Sequence, residues 1–179
     1  HQRNQRRNES RGRKMKIKYL SGNDVCEPDG EGRKIIGHCT NDLGVMGSGV
    51  AAALFKKWSD VRSKYITWHK MNNHLGTKFE LGKTQLVKVE DDIVVANIVG
   101  QHGVGRQNGN VPVRYDALRE GCAYIRKACK FFGATAHFPY LMGCDLAGGK
   151  WEEVEKIIQE ELIDHEVEVT VYDLFNKRG

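Results

Sequence analysis

A glycine-rich loop between an apolar strand and an amphipathic segment most constrains the fold of this chain. The apolar run at 34–39 leads into residues 40–51, which hold three glycines within six positions. Apolar residues then recur at helical spacing over 50–65. Glycine lets a backbone turn sharply and approach a ligand, and the N-terminus of a helix attracts phosphate. The pattern predicts a strand, a phosphate-binding loop and a helix, although such a loop also serves as a simple tight turn.

The glycine spacing matches neither G-x-G-x-x-G nor G-x-x-x-x-G-K-[ST], so the usual nucleotide-binding fingerprints are absent. Asn41 ends the predicted strand, and its amide carries donors and an acceptor that suit a ribose or a base edge. The loop therefore indicates a phosphorylated ligand without identifying it.

Hydrophobic periodicity predicts alternating strands and helices along the chain. Strands are expected at 17–20, 34–39, 86–89, 93–99, 135–141 and 167–174, and helices at 50–65, 112–132 and 151–162. This alternation predicts a three-layer α/β/α sandwich with a central mixed, mostly parallel sheet. Ligands bind such sheets where strand C-termini open into loops, and the loops at 41–49, 100–110 and 142–149 all begin there.

The basic charge of the chain belongs to its first fourteen residues. The chain has 28 Lys and Arg against 23 Asp and Glu. Residues 1–14 hold six of the basic and one of the acidic side chains, which leaves 22 of each sign elsewhere. With no apolar residue, 1–14 is expected to be a disordered tail. It is either a leader or expression remnant, with Met15 as the natural start, or a basic arm for acidic partners. Residues 15–179 are expected to form a single domain.

The cysteine pattern favours a reducing, cytoplasmic setting. Five cysteines without a C-x-x-C pair predict neither a disulfide scaffold nor a zinc cluster. No carboxylate–histidine cluster calls for a metal, and no apolar run is long enough to span a membrane. The ordinary composition of the neutral domain makes a monomer the default expectation.

Five ordered sequence blocks resemble the macro domain (macrodomain) family, specifically its ADP-ribose-1″-phosphate phosphatase, or Appr-1″-p processing, branch. The blocks are KIIGH (34–38) with ND (41–42) and GSG (47–49), NIVGQHG (97–103), RYDAL (114–118), GC (143–144) with LAGGKWE (146–152), and TVYDL (170–174). The resemblance covers 16–174.

This resemblance implies an ADP-ribose site, with no further cofactor. Its adenine contact falls on Asp24 or Asn23, because one extra residue there leaves the register open. Asn41 would bond the distal ribose, and Gln101 and His102 would contact phosphate or ribose. The diphosphate would be wrapped by backbone amides of Gly47, Ser48, Gly49 and Val50 on one side and by Gly143, Cys144, Leu146, Ala147 and Gly148 on the other.

Two departures from the family pattern bear on mechanism. Asp145 stands where the family usually has glycine, so its carboxylate repels the diphosphate, faces solvent, or acts as a general base. The lysine that forms a covalent sugar adduct in one glutamate-deacylating branch has no counterpart in Gly100-Gln101-His102. The aspartate of that branch falls on Ala147, so a covalent lysine mechanism is disfavoured.

His38, Asn41 and Asp145 are the catalytic candidates. The family position of His38 is near the distal ribose, and a histidine with its ordinary pKa exchanges protons near neutrality; alternatively, it bonds a neighbouring group in the core. Cys144 is a weak nucleophile candidate, because it lacks the C-x₅-R cradle of cysteine phosphatases.

The resulting prediction is a metal-independent hydrolase that removes phosphate from ADP-ribose 1″-phosphate or ADP-ribose from an ester. The alternative is a non-catalytic reader of ADP-ribose or ADP-ribosylated macromolecules. In a third interpretation, the basic tail brings the domain to nucleic acid.

Overall fold

Six strands and four helices alternate along the part of the chain that the structure, a computed structural model, describes: residues 15–105 and 111–179. The strands are β1 (Lys18–Ser21), β2 (Lys34–Asn41), β3 (Thr84–Glu90), β4 (Ile93–Gln101), β5 (Thr135–Pro139) and β6 (Val169–Asp173). The helices are α1 (Gly49–Lys57), α2 (Asp60–Met71), α3 (Tyr115–Phe132) and α4 (Trp151–Glu161), followed by a 3-10 turn at Ile163–His165.

The strands form one mixed sheet in the order β1-β6-β5-β2-β4-β3. Every neighbouring pair is parallel except β3 and β4, which form the antiparallel edge. Strands β2 and β5 lie at the centre, and almost every residue of β2 is buried. Continuous apolar runs are expected for strands covered on both faces. The predicted mixed, mostly parallel sheet is confirmed.

Helices cover both faces of the sheet and give the predicted three layers. One core lies beneath α3 and α4 and includes Leu118, Ile125 and Phe138. The other lies beneath α1 and α2 and includes Leu54 and Trp68. Because both faces are covered, the carboxyl ends of the central strands open at one rim of the sandwich, where the predicted loops lie.

The expected single helix over 50–65 is wrong. The chain forms α1 and α2 instead, with Trp58 in an extended conformation at the end of α1. Trp58 N donates to Leu54 O (2.8 Å), and its indole N–H donates to Glu90 Oε2 (3.0 Å). Both helices bury apolar residues against the same face of the sheet, so the apolar periodicity continues across the break and hides it.

Two element ends differ from the expected ranges. Helix α3 begins at Tyr115 rather than at 112, and it ends at Phe132, where Gly133 follows in a left-handed conformation. Strand β5 stops at Pro139 rather than Leu141, because Leu141 lies in a turn with φ +66°.

The predicted basic tail at 1–14 and the end of the glycine-rich loop, 106–110, lie outside the described residues. Within the described part, no helix is both long and apolar enough to cross a bilayer.

The close packing of β2 against β5 gives a stability prediction. A Cβ atom on Gly37 would lie 2.5 Å from Phe138 Cε1 and 3.0 Å from Ile125 Cδ1. We expect Gly37→Ala to lower the free energy of unfolding by about 1–3 kcal/mol, the usual cost of overpacking a core. Urea denaturation measures this cost, and repeating it in a Phe138→Leu background provides the control. An equal cost in both backgrounds would contradict the steric explanation.

Candidate functional site

A cleft of about 360 Å³ opens at the carboxyl ends of the central strands. Its walls come from the β2–α1 loop, the end of β4 and the β5–α4 loop, which are the three loops that the sequence predicted to meet. Parallel strands bring their carboxyl ends to one edge of the sheet, so three segments far apart in sequence converge here.

A second compartment of about 260 Å³ continues the cleft toward the chain's C-terminal residues. It is lined by Asp24, Tyr172 and Phe175, among others. The two compartments share the lining residues Gly49, Val50, Pro139, Tyr140, Leu141 and Asp145. Together they make an elongated cleft with two ends that adjoin at these shared residues.

Most of the predicted binding residues line this cleft. The first compartment includes Asn41, Gly47, Ser48, Gly49, Val50, Gln101, Gly143, Cys144, Leu146 and Ala147. Asp24 lines the second compartment, whereas exposed Asn23 does not, so the geometry favours Asp24 in the register that the sequence left open. His102 and Gly148 do not belong to either lining.

The N-terminus of α1 lies at the junction of the two compartments. Its first hydrogen bond within the helix runs from Ala52 N to Ser48 O (3.3 Å), so the N–H groups of 49–51 precede the helical ladder. Ser48 adopts an extended conformation and makes no side-chain cap. Gly49 and Val50 line both compartments. Backbone donors and the positive end of the helix dipole are therefore available to an anion at the middle of the cleft.

The β5–α4 loop is held in shape by backbone hydrogen bonds. Gly149 N donates to Gly143 O (2.9 Å), and Val113 N donates to Ala147 O (3.0 Å). A Cβ on Gly149 would lie 2.5 Å from Gly143 O, so only glycine permits this approach. The wall opposite α1 is thus fixed by the chain itself.

Asn41 organises the loop in which it lies. Its Oδ1 accepts hydrogen bonds from Leu43 N (3.0 Å), Val45 N (3.3 Å) and the Tyr65 hydroxyl (3.0 Å). Its Nδ2 donates to Val45 O (2.6 Å). One amide hydrogen is left for a ligand, so Asn41 both shapes the β2–α1 loop and retains one donor at the cleft.

His38 does not have the properties expected of an acid–base catalyst at neutral pH. Its side chain is buried, and its Nε2 lies 2.5 Å from Asn97 Oδ1. Asn97 Nδ2 donates to Val61 O and Gln85 Oε1, so Asn97 Oδ1 is the acceptor and Nε2 carries the proton. Burial lowers the pKa of His38 to about 4, although the bond to Asn97 opposes this shift. His38 lines the first compartment, but its neutral imidazole also belongs to a buried polar network, which disfavours proton exchange near neutrality.

Asp145 occupies the junction between the compartments and is largely exposed. Its Oδ1 lies 3.9 Å from Lys177 Nζ, and both side chains are more than half exposed. The structure places this carboxylate in a position open to solvent, one of the alternatives that the sequence left open. A pair this open to water is a weak ionic interaction, and Asp145 lines both compartments, including the one that holds Asn41.

The cysteines near the cleft are thiols rather than thiolates. Cys144 Sγ lies 3.5 Å from Met142 O, and burial, with Asp145 nearby, raises the pKa of Cys144 to about 12. Burial likewise raises the pKa of Cys39 to about 12. All five cysteines are free, as predicted. Since the thiolate is the nucleophile, Cys144 is not activated for attack.

Several residues of the site were missed by sequence reasoning. Phe175, Tyr140 and Lys177 line the second compartment. Asp42, which was noted only as part of a family block, directly follows Asn41 and pairs with His102 (2.6 Å). Neither of these two side chains lines a compartment of the cleft.

The fold and the site define an α/β protein with a two-compartment cleft at the carboxyl ends of its central strands. A protein of unknown function from Bacteroides thetaiotaomicron is 42% identical, with a TM-score of 0.83 over 89% of this chain and 99% of that one. The macrodomain protein from Streptomyces coelicolor is 35% identical, with a TM-score of 0.76 over 88% of this chain and 99% of that one. The chain therefore belongs to the macrodomain family.

More distant comparisons agree with this fold. Chromodomain-helicase-DNA-binding protein 1-like from Danio rerio is 30% identical over 172 residues, covering 91% of this chain. The chain spans only 16% of the length of that curated relative. DarTG from Thermosipho africanus, solved in complex with ADP-ribose, is 20% identical with a TM-score of 0.64, over 89% of this chain and 43% of that one. No family model matches the chain.

Proposed function

We propose that the elongated cleft binds ADP-ribose. The observation that carries this proposal is the position of the α1 N-terminus at the junction of two compartments, where Gly49 and Val50 line both. A diphosphate that joins two ribose-containing ends is an anion in the middle of an elongated molecule. The backbone donors of 49–51 suit that central anion.

The two ends of the ligand then have distinct positions. The adenine occupies the second compartment, where Asp24 supplies an acceptor for the exocyclic amine and Phe175 supplies an aromatic face. The distal ribose occupies the first compartment beside Asn41 and Gln101. The binding of ADP-ribose by the distant DarTG protein supports this ligand class.

We further propose that the protein is a hydrolase of the ADP-ribose-1″-phosphate phosphatase branch. It would remove phosphate from ADP-ribose 1″-phosphate, or ADP-ribose from an ester linkage, without a metal ion. Parts of three of the five family blocks line the first compartment, where the 1″ position would lie: residues of 38–49, Gln101 and residues of 143–147.

A non-catalytic reader is the second candidate, and a specific observation favours it. His38 is a neutral, buried member of a hydrogen-bonded network, and Asp145 lies beside Lys177 at the junction of the compartments. One of the three residues first considered for catalysis, His38, is thus poorly suited to proton transfer at neutral pH. Reader and hydrolase share the same ligand and differ only in turnover.

The domain arrangement is part of the proposal. Residues 15–179 would form the ligand-binding domain, and the basic residues at 1–14 would recruit ADP-ribosylated nucleic acid or an acidic protein. Binding through such a tail would weaken steeply with salt.

Titration of ADP-ribose by calorimetry tests the ligand, and neighbouring residues provide a matched pair of variants. We expect Asp24→Asn to weaken binding about tenfold, roughly 1.4 kcal/mol, because an amide donor replaces an acceptor that faces the adenine amine. Asn in this position still offers an Oδ1 atom to Cys26 N, the bond that Asp24 makes at 2.9 Å. Asn23→Ala is the control and should bind as the wild type does. Absence of binding by the wild type would refute the proposed ligand.

Turnover separates the hydrolase from the reader. Wild-type protein that binds ADP-ribose is incubated with ADP-ribose 1″-phosphate and with a glutamate ester of ADP-ribose. Release of inorganic phosphate or of free ADP-ribose identifies the hydrolase. Saturable binding without release identifies the reader.

A further inference from the structure

A separate cavity of about 510 Å³ lies between the start of β3 and helix α3. None of its lining residues lines either compartment of the cleft. Its lining includes Lys78 and Lys83 before β3, Thr84 at the first residue of β3, and Glu120, Tyr124 and Lys127 on α3. The proposed binding of ADP-ribose makes no use of this cavity.

One buried hydroxyl group of this cavity is unpaired. Thr84 is 4% exposed, and its Oγ1 has no hydrogen-bond partner among the described residues. Leaving a buried hydroxyl without a partner is unfavourable, and such a group in a native structure calls for an explanation. The Thr84 hydroxyl is therefore available to a ligand that accepts a hydrogen bond.

Lysines make the cavity basic. Lys83 Nζ lies 3.1 Å from Glu120 Oε1, and Lys78 Nζ lies 3.8 Å from Glu80 Oε2. Both pairs are exposed to water, so they are weak and either lysine can turn to another anion. With Lys127, the lining carries three cations and one carboxylate, a net charge of +2. This charge, together with a free hydroxyl, favours an anion with oxygen acceptors, such as a phosphate.

Aromatic rings continue from the cavity along α3. Tyr124, Lys127 and Phe131 lie three and four residues apart, which places their side chains on one face of the helix. Tyr124 is 44% exposed and Phe131 is 83% exposed. Exposed apolar surface of this kind marks interaction sites. This face of α3 therefore presents a cation between two rings that are open to a ligand.

The combination matches single-stranded nucleic acid, in which unpaired bases alternate with phosphates. Sites for single strands combine cations that follow the backbone with aromatic side chains on which the bases stack. An acidic peptide would satisfy the lysines but has no planar groups for the rings. In a duplex, the bases are already paired and stacked on one another.

We propose that this cavity and the adjoining face of α3 bind single-stranded nucleic acid. One phosphate lies in the cavity, within reach of the Thr84 hydroxyl and the Lys127 ammonium. One base stacks on Tyr124, and a following base stacks on Phe131. The site is separate from the ADP-ribose cleft and from the basic residues 1–14, so the inference goes beyond the proposed function and does not depend on it.

Fluorescence anisotropy with a labelled oligodeoxythymidine of about 12 nucleotides tests the site on the full chain. We expect Tyr124→Ala to weaken binding about tenfold, whereas Tyr124→Phe keeps the ring and should bind as the wild type does. Thr84→Val removes the hydroxyl and keeps the shape of the side chain. It should weaken binding about fivefold and yet raise the Tm, because an unpaired buried hydroxyl is lost.

A second set of variants tests the charge. Lys127→Gln should weaken binding and make the slope of log K against log salt concentration shallower by about 0.7, the value for one phosphate contact on a single strand. Glu120→Gln removes the opposing carboxylate and should strengthen binding about threefold. The control is Lys70→Gln, an exposed lysine on α2 at the opposite face of the sheet, which should leave affinity and slope unchanged.

Several results would overturn the proposal. They are failure of the wild type to bind the oligonucleotide, wild-type affinity in Tyr124→Ala, and equal losses in Lys127→Gln and Lys70→Gln. Equal affinity for a duplex of the same length would exclude base stacking, and displacement of the oligonucleotide by ADP-ribose would place the strand in the cleft instead. Loss of affinity in Tyr124→Ala but not in Tyr124→Phe, with the shallower slope in Lys127→Gln, supports the proposal.

Discussion

Gly47→Val is expected to weaken ADP-ribose binding by about 100-fold, roughly 3 kcal/mol. Gly47 lies in the wall of the first compartment beside the N-terminus of α1. A Cβ added there meets no protein atom within 4 Å, and the backbone of Gly47 lies outside the left-handed region. The chain therefore tolerates a side chain at this position, while the branched valine occupies space that the diphosphate needs.

A graded series distinguishes this steric block from misfolding. Gly47→Ala adds only the Cβ and should weaken binding much less than Gly47→Val. Calorimetry gives the affinities, and thermal unfolding should give the same Tm for the wild type and both variants. Wild-type affinity in Gly47→Val would contradict the position proposed for the diphosphate.

The second large effect is a loss of stability in mild acid. Burial lowers the pKa of His38 and of His137 from the ordinary value of 6.5 to about 4; for His137, nearby Lys34 adds to this shift. Each histidine takes up a proton in the unfolded chain at a higher pH than in the folded chain. The contribution of each histidine to the free energy of unfolding is therefore fully present above pH 6.5. It decreases as the pH falls toward 4, by about 3 kcal/mol for each histidine.

Urea denaturation at a series of pH values measures this dependence. His38→Gln should remove about half of the slope between pH 6.5 and 4. Exposed His165→Gln is the control and should leave the slope unchanged. An unchanged slope in His38→Gln would show that His38 takes up its proton at the same pH in the folded and unfolded chains.

The two buried histidines illustrate a limit of sequence reasoning. A histidine at the end of an apolar strand is compatible with a catalytic role and with a buried one, and the sequence left both open for His38. The Asn97 side chain that binds it comes from the neighbouring strand β4, 59 residues later. The residues around His38 give no indication of this partner, because the pairing of β2 with β4 brings the two side chains together.

The broken helix illustrates another limit. Apolar residues continue at helical spacing from α1 into α2, because both helices pack against the same face of the sheet. The break at Trp58 is stabilised by tertiary contacts, including the bond from its indole to Glu90 on β3. Apolar periodicity shows which side of a segment is buried. It does not show where the chain changes direction when both helices are buried against the same face.

The sequence alone determined the sandwich, the mixed sheet and the three loops that meet at its rim, because hydrophobic periodicity and glycine placement are local properties with direct structural consequences. Only the tertiary structure decided that Asp24 rather than Asn23 lines the cleft, that Asp145 lies near Lys177, and that Asp42 pairs with His102. Each of these depends on the relative position of segments far apart in the chain. That position is set by the packing of the whole sheet rather than by the residues on either side.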